Sequence, residues 1–381
     1  MRPELSPCPV CGSTGATPVL ELEDVPVFCN VLWDTREQAR AAARGDIALQ
    51  FCGSCGMLHN AAFDDELVRY SPAYENSLHF SSVFRRFADE LAEGLVERHD
   101  LHGKLIVDIG CGNGDFLRML CGANGNRGLG FDPSYRGEPN GSGTVTIAPE
   151  LFSAEHAAEP GDFICCRHVL EHLQEPRALL ETLAGTPAAL YFEVPDGEYM
   201  LREAAVWDVI YEHASYFTPA ALARLFEDLG FGALDVGSTF GGQYLYIETS
   251  SKAPANRRSS PAELSALVER FAKRGGERVA TWSDRLRELH DAGRGVALWG
   301  AGSKGVTFLN IVSGGEEIEL VIDLNERKHG RHVPGTGQTI QPPDALSRRS
   351  PEVVLAMNPL YVDEIRAALC KLGVNADVVA V

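Results

Sequence analysis

Two kinds of hydrophobic pattern alternate along the chain. Short apolar runs rich in β-branched residues occupy 105–109, 128–131, 162–166, 189–194, 233–238 and 243–249. Their length and composition predict strands. Stretches of helical spacing fit between them, and strands that alternate with helices predict an α/β fold with a doubly wound, Rossmann-like sheet over 101–250. Ahead of it, Phe80, Phe84, Phe87, Leu91 and Leu95 recur at three- and four-residue steps. That spacing predicts an amphipathic helix in a connector over 63–100. A polar stretch, 251–262, reads as a linker. A long amphipathic helix follows, with Leu264, Leu267, Phe271, Val279, Trp282 and Leu286 on its apolar side, to complete a segment over 251–293. The apolar runs near 296–299 and 318–322 then open a second Rossmann-like unit over 294–381.

The first strand of the central unit runs into Gly110, Cys111, Gly112, Asn113 and Gly114, and a helix opens at Asp115. Three alternate glycines let backbone N–H groups approach a ligand with no Cβ in the way, and a helix N-terminus behind them favours an anionic group. The spacing is G-x-G-x-G, preceded by Asp108, and differs from the dinucleotide pattern G-x-G-x-x-G. Asp132, at the end of the next strand and 20 residues past Gly112, stands where an acid can hold ribose hydroxyls. Strand, turn, helix and second acid together predict a nucleoside site. Ligands in such sheets sit outside the carboxyl ends of the strands, which places Pro133, Arg167 and His168 on the same rim. His172 reads as a capping or packing residue of the following helix. In the second unit Gly300, Gly302 and Gly305 do fit G-x-G-x-x-G, and Asp323 lies 21 residues past Gly302. Lys304 inside that turn, with Lys328 and Arg331 beyond it, points to a phosphate-bearing ligand.

Cysteine usage adds an N-terminal module over 1–62. Cys8 and Cys11, then Cys52 and Cys55, form two C-x-x-C knuckles. Four thiolates suit tetrahedral Zn²⁺ with no open position, so the predicted zinc is structural. Ten cysteines with no apolar leader point to metal and free thiols in a cytoplasmic protein.

Tyr211, Glu212 and His213 lie just upstream of Thr218-Pro219, a helix start with a cap residue and Pro at the first position. Three functional side chains in a row on a loop of the active rim read as chemistry. Tyr70 and Tyr74 flank a proline turn before the connector helix.

The central motifs resemble those of the class I S-adenosylmethionine-dependent methyltransferases. The whole order resembles the zinc-containing C-methyltransferases of nucleotide-linked keto-deoxysugars, on Cys8 to Cys11 with Cys52 to Cys55, Asp108 to Gly114, Arg167 to His172, Glu193 to Asp196, Glu212 to Phe217, Trp299 to Gly305 with Asn310, and Lys328 to Gly335. The resemblance implies a structural zinc and S-adenosylmethionine held by Asp108, Gly110, Cys111, Gly112, Asp132, Pro133, Arg167 and His168. It implies a last domain that anchors the nucleotide of the acceptor and carries no NAD. Tyr70, Tyr74, Gly302, Lys304, Asn310, Lys328 and Arg331 are then the substrate-side candidates. Methylation at a carbon α to a carbonyl needs a base, and His213 is the candidate, with Glu212 orienting it and Tyr211 holding the enolate oxygen. Two departures stand out. This chain has Ile210-Tyr-Glu-His213 where the sugar enzymes have Tyr-His-Glu-His, and Phe240-Gly-Gly-Gln243 where they have His-Gly-Gly-Ser. An O- or N-methyltransferase, a zinc-knuckle binding protein and an NAD enzyme are the competing readings.

Composition narrows the classes further. The net charge of −19 opposes binding to nucleic acid. No apolar run approaches the roughly 18 residues of a membrane span. A small-molecule acceptor and a monomer are expected.

Overall fold

The computed structural model describes residues 6–69, 73–122, 124–137, 143–158, 161–232, 234–249 and 259–381. Tyr70 lies outside the described residues. Among the described residues three sheets organise the chain, and the fold is α/β with Rossmann-like parallel sheets.

The N-terminal sheet is antiparallel. Its strands run Thr17–Pro26, Arg44–Phe51, Leu58–Asn60 and Ser215–Tyr216 in that spatial order. The last strand comes from the far side of the central unit and pairs as Leu58 with Tyr216 and His59 with Ser215. The cysteine knuckles flank this sheet. In each, the glycine amide closes a tight turn on the first cysteine, Gly12 on Cys8 and Gly56 on Cys52. The four sulfurs lie within 4.8 Å of one another, with Cys8 and Cys55 3.5 Å apart and Cys11 and Cys52 3.6 Å apart. An all-sulfur group of this size is suited to zinc.

The central sheet has seven strands in the order Leu234–Thr239, Tyr244–Thr249, Ala189–Pro195, Phe163–Arg167, Leu105–Ile109, Arg127–Phe131 and Val145–Ala148. The first two form an antiparallel hairpin, and the other five are parallel. Sequence pattern misses Val145–Ala148 for a physical reason. Only Ile147 in it is buried, so an edge strand of four residues leaves no hydrophobic run. Leu105–Ile109 lies at the switch point, between strands that continue in opposite directions. A crevice opens there at the carboxyl ends.

The third sheet is wholly parallel, in the order Ile340–Gln341, Leu320–Ile322, Val296–Trp299, Val353–Ala356 and Asp377–Ala380. Val296–Trp299 is central and, like Leu105–Ile109, feeds a glycine turn.

One helix ties the cores together. Pro261–Asp291 starts at a capping box made by Ser260 and Glu263. Its Leu264 and Phe271 pack into the apolar cluster of the N-terminal sheet, with Ile47, Leu49 and Tyr211. Two turns and more further on, Trp282 and Leu286 pack into that of the third sheet, with Phe308 and Leu298. No helix among the described residues is long and apolar enough to cross a membrane.

The second glycine turn is a tight backbone crossing. A Cβ on Gly305 would lie 2.0 Å from the Gly300 carbonyl oxygen. Gly305→Ala is therefore expected to destabilise the protein by about 1–3 kcal/mol or more, as overpacking against rigid backbone does. Urea unfolding measured beside the wild type checks this.

Candidate active site

A single cavity of about 910 Å³ opens between the carboxyl ends of the central sheet and the glycine turn of the third sheet. Its walls bring together Asp108, Gly110, Cys111, Gly112, Asp132, Pro133, Arg167 and His168 from the central unit. Gly302, Lys304 and Lys328 come from the C-terminal one, and Tyr74 and His213 complete the wall.

The first turn takes its shape from glycine. Gly110, Gly112 and Gly114 all have left-handed backbone, with φ of 71°, 56° and 78°. A Cβ at Gly110 would strike Val169, whereas one at Gly112 meets nothing within 4 Å. Gly112 thus presents bare backbone to the cavity. Asp132 braces the turn. Its Oδ2 accepts from the Gly112 amide at 2.7 Å, and its Oδ1 accepts from the amide and hydroxyl of Ser134 at 2.7 and 2.6 Å. Asp323 repeats the device in the second unit, accepting from the amides of Ala301 and Asn325, each at 2.8 Å. Asp108 is buried below the first turn, and burial, with the charge of Asp132, pushes its carboxyl up to about 7 against the pull of Arg167.

Arg167 and His168 do more than line the wall. Arg167 Nε donates to Glu193 Oε1 at 2.8 Å, and the guanidinium lies 4.2 Å from the Phe116 ring centroid. His168 has a left-handed φ of 57° and sits 3.4 Å from Glu171 and 3.3 Å from Glu193. Tyr191 and Thr239 hydroxyls donate to the other oxygen of Glu193. Burial opposes charge on Glu193, but Arg167 and His168 override it and hold the carboxyl near about 2. Burial likewise opposes charge on His168, and the two carboxylates lift it to about 9.

Two of the three sequence assignments on the 210–213 loop change. Tyr211 is a core residue. Its ring stacks on Phe63, and its hydroxyl accepts from the Asp64 amide at 3.0 Å, away from the cavity wall. The Glu212 carboxylate does not face His213. It is fully buried and accepts from the Cys29 amide at 2.6 Å and from the Tyr74 hydroxyl at 2.7 Å. Burial raises its carboxyl. His213 alone of the three lines the cavity. Burial, with the nearby His172 and His168, pushes its imidazole well below the ordinary range.

At the second glycine turn, Lys304 Nζ lies 2.5 Å from Asp208, and buried Lys328 donates to Asn30 Oδ1 at 3.2 Å and the Ala301 carbonyl at 3.0 Å. Asn310 does not reach the cavity. Its amide donates to the Val306 and Pro334 carbonyls and its oxygen accepts from Arg44, so it is a brace. Arg331 also stands outside, half exposed and paired with Asp34.

Two residues that sequence reasoning missed stand in the wall. His172 is not a helix-packing residue. It belongs to the short 3-10 turn Leu170–His172, faces the cavity, and has its ring 4.9 Å from that of His213. Glu171 beside it is a buried carboxylate on the same wall. Leu-Glu-His after a strand looks like any helix start, and only the tight turn aims both side chains inward.

The buried ion pair is open to test. Removing one partner of such a pair costs about 3–5 kcal/mol, so Glu193→Gln should lower unfolding stability at pH 7 by that order in urea. The native carboxyl ionises near about 2, below its unfolded value of roughly 4.3. Its contribution is present above the unfolded value and lost as pH falls towards about 2. The Gln variant should lack that part of the acid loss.

Comparisons with known proteins bear on this geometry. Residues 80–236 match the family model of a methyltransferase domain, and 258–375 match that of the C-methyltransferase C-terminal domain. The C-methyltransferase NovU of Streptomyces niveus is 27% identical over 395 aligned residues, covering 96% of this chain and 92% of that protein. A ubiquinone biosynthesis O-methyltransferase of Psychrobacter arcticus is 26% identical over 36% of this chain, which spans 62% of that relative. Magnesium protoporphyrin IX methyltransferase from Synechocystis PCC 6803, solved with bound SAH, superposes with a TM-score of 0.34 at 22% identity, covering 44% of this chain and 84% of that one. The bare backbone at Gly112, the braced acid Asp132 and a cavity large enough for a nucleoside and a second small molecule fit S-adenosylmethionine. The chain carries a methyltransferase domain over 80–236 and a C-methyltransferase C-terminal domain over 258–375, and it is an S-adenosylmethionine-dependent methyltransferase.

Proposed function

We propose that the protein methylates a carbon α to a carbonyl on a small acceptor, and that the acceptor is a nucleotide-linked sugar or a related natural-product intermediate. The observation that carries this reading is the position of His213. It stands on the wall of a cavity shared by both glycine turns. The methyl donor belongs to the first turn, held by Asp108, Gly110, Cys111, Gly112, Asp132 and Pro133, with Arg167 and His168 as the neighbouring wall. The acceptor belongs to the second, with Tyr74, Gly302, Lys304 and Lys328 as its candidate contacts. S-adenosylmethionine, when bound, supplies an electrophilic methyl group.

The residues of the chain do the rest. A carbon next to a carbonyl is a poor nucleophile until its proton leaves. His213 accepts that proton on an imidazole nitrogen, and the electron pair of the broken C–H bond passes into the enolate. Glu212 acts at one remove as a positioning residue, through its hydrogen bonds to Cys29 and Tyr74. The cavity walls hold the two substrates in line and keep water from the reacting carbon. Zinc in the Cys8, Cys11, Cys52 and Cys55 group is structural in this reading, with no open position for catalysis. We place the working units at 1–62, 63–100, 101–250, 251–293 and 294–381, and the enzyme in the cytoplasm as a monomer.

Incubation with S-adenosylmethionine and a panel of nucleotide keto-sugars, followed by mass analysis for one added methyl group, tests the acceptor class. Without the methyl donor, the acceptor carbon should exchange its proton in heavy water. His213→Asn should slow that exchange by about 10²–10⁴-fold, the usual share of a general base. Exchange at the wild-type rate would remove His213 from this role, and methyl transfer with no exchange at all would favour an O- or N-methyl acceptor. Stripping zinc with a strong chelator should lower the melting temperature and empty the four-cysteine group, checked by metal analysis and a thermal scan.

A further inference from the structure

Among the described residues, two groups bring three or more metal-ligating side chains within reach of one ion. One is the four-cysteine group, and the other is Glu171, His172 and His213. The second stands on the wall of the cavity, and nothing in the reading above uses Glu171 or His172. One ligand atom from each of its three residues lies within 4.8 Å of the others.

Three features of this group point to a cation. The first is an orphaned oxygen. Glu171 is 1% exposed, and its Oε2 has no hydrogen-bond partner, although its Oε1 meets His168. A buried carboxylate oxygen without a donor is costly, so such an atom calls for a counterpart. The second is an orphaned nitrogen, His213 Nδ1, also buried and without a hydrogen-bond partner. The third is a fixed tautomer. His172 Nδ1 lies 3.0 Å from the Glu212 backbone carbonyl, which can only accept. Nδ1 therefore carries the hydrogen, and in the neutral ring Nε2 carries a lone pair. Metal-bound histidines are oriented in this way, by giving the other ring N–H to a carbonyl. The same contact shows why Glu212 is where it is. Its carboxylate is clamped between Cys29 of the N-terminal module and Tyr74 of the connector, so its carbonyl is held still for His172.

We propose that Glu171, His172 and His213 form a binding site for a divalent first-row transition-metal ion, with its remaining coordination positions open to the acceptor cavity. Two imidazoles and one carboxylate are the donor set of three-ligand sites that keep open positions. The site is distinct from the cysteine group in place and in chemistry. Soft thiolates select zinc, whereas nitrogen and oxygen donors also take manganese. The ion and the acceptor's proton compete for the lone pair of His213. A loaded site therefore withdraws the base, and the same ion offers an oxygen of the acceptor a Lewis acid.

Mn²⁺ is the probe, added to the full-length protein with its cysteine group filled with zinc. The loss of the free-ion electron paramagnetic resonance signal counts bound manganese, and pulsed measurements detect coupled imidazole nitrogen. The wild type should bind one Mn²⁺ per chain with nitrogen couplings. Glu171→Gln and His213→Asn should each weaken binding by more than the roughly 10–100-fold that losing an outer-shell partner costs. Their zinc content and thermal unfolding should stay near wild type. No manganese binding to the wild type would overturn the site and favour a direct Glu171–His213 hydrogen bond. Binding without nitrogen couplings, or equal binding in both variants, would overturn it as well. Should a variant fail to fold, the couplings in the wild type still decide. Failure of the ion to bind leaves the general-base reading standing. Exchange that survives His213→Asn removes that reading and leaves the ion site standing.

Discussion

The active loop depends on one buried carboxylate. Glu212 is removed from water, and such a charge is tolerated only where donors meet it. It meets donors from the N-terminal part of the chain, among them the Cys29 and Asn30 amides and the Tyr74 hydroxyl. The strand Ser215–Tyr216, three residues on, completes the N-terminal sheet. Between these two anchors the chain has no freedom to move His213. The zinc-suited module thereby helps to hold one part of the cavity wall, although none of its four knuckle cysteines lines the cavity.

The two glycine turns are built alike. In each, a central parallel strand ends in glycine, and an aspartate from the neighbouring strand accepts from an amide of the turn: Asp132 from Gly112, and Asp323 from Ala301. The likeness ends at the charges around them. The first turn is backed by Asp108 and the Arg167–Glu193 pair, the second by Lys304 and Lys328, each already matched to an acceptor. An acid-backed turn suits ribose hydroxyls, and a lysine-flanked one suits anionic groups. One cavity thus has two unlike ends, and His213 lies on the wall between. The helix Pro261–Asp291 keeps the ends in register, because its two halves belong to different apolar cores.

Much of this was legible in the chain alone. Apolar runs and helical spacing are local properties, and they marked six of the seven central strands, the long helix and both glycine turns. Glycine spacing is legible because glycine takes left-handed backbone, and allows close backbone approach, far more readily than other residues. Cysteine knuckles are legible because thiolate pairs on one turn serve few other ends. Val145–Ala148 was missed because an edge strand with one buried residue carries no pattern.

Direction and partnership were settled only in three dimensions. The sequence placed Tyr211, Glu212 and His213 together on one loop, but consecutive side chains on such a loop point to different sides. Tyr211 went to the core, Glu212 to the clamp and His213 to the cavity. Asn310 and Arg331 carry the right chemistry for a ligand and spend it on Pro334 and Asp34. Glu171 and His172 look like the start of an ordinary helix, and a turn of three residues makes them part of the wall. Residue type and spacing determined which chemistry the chain holds. Which side chains meet was decided by contacts between residues far apart in sequence, because burial and the need to match each buried charge act on the folded surface as a whole.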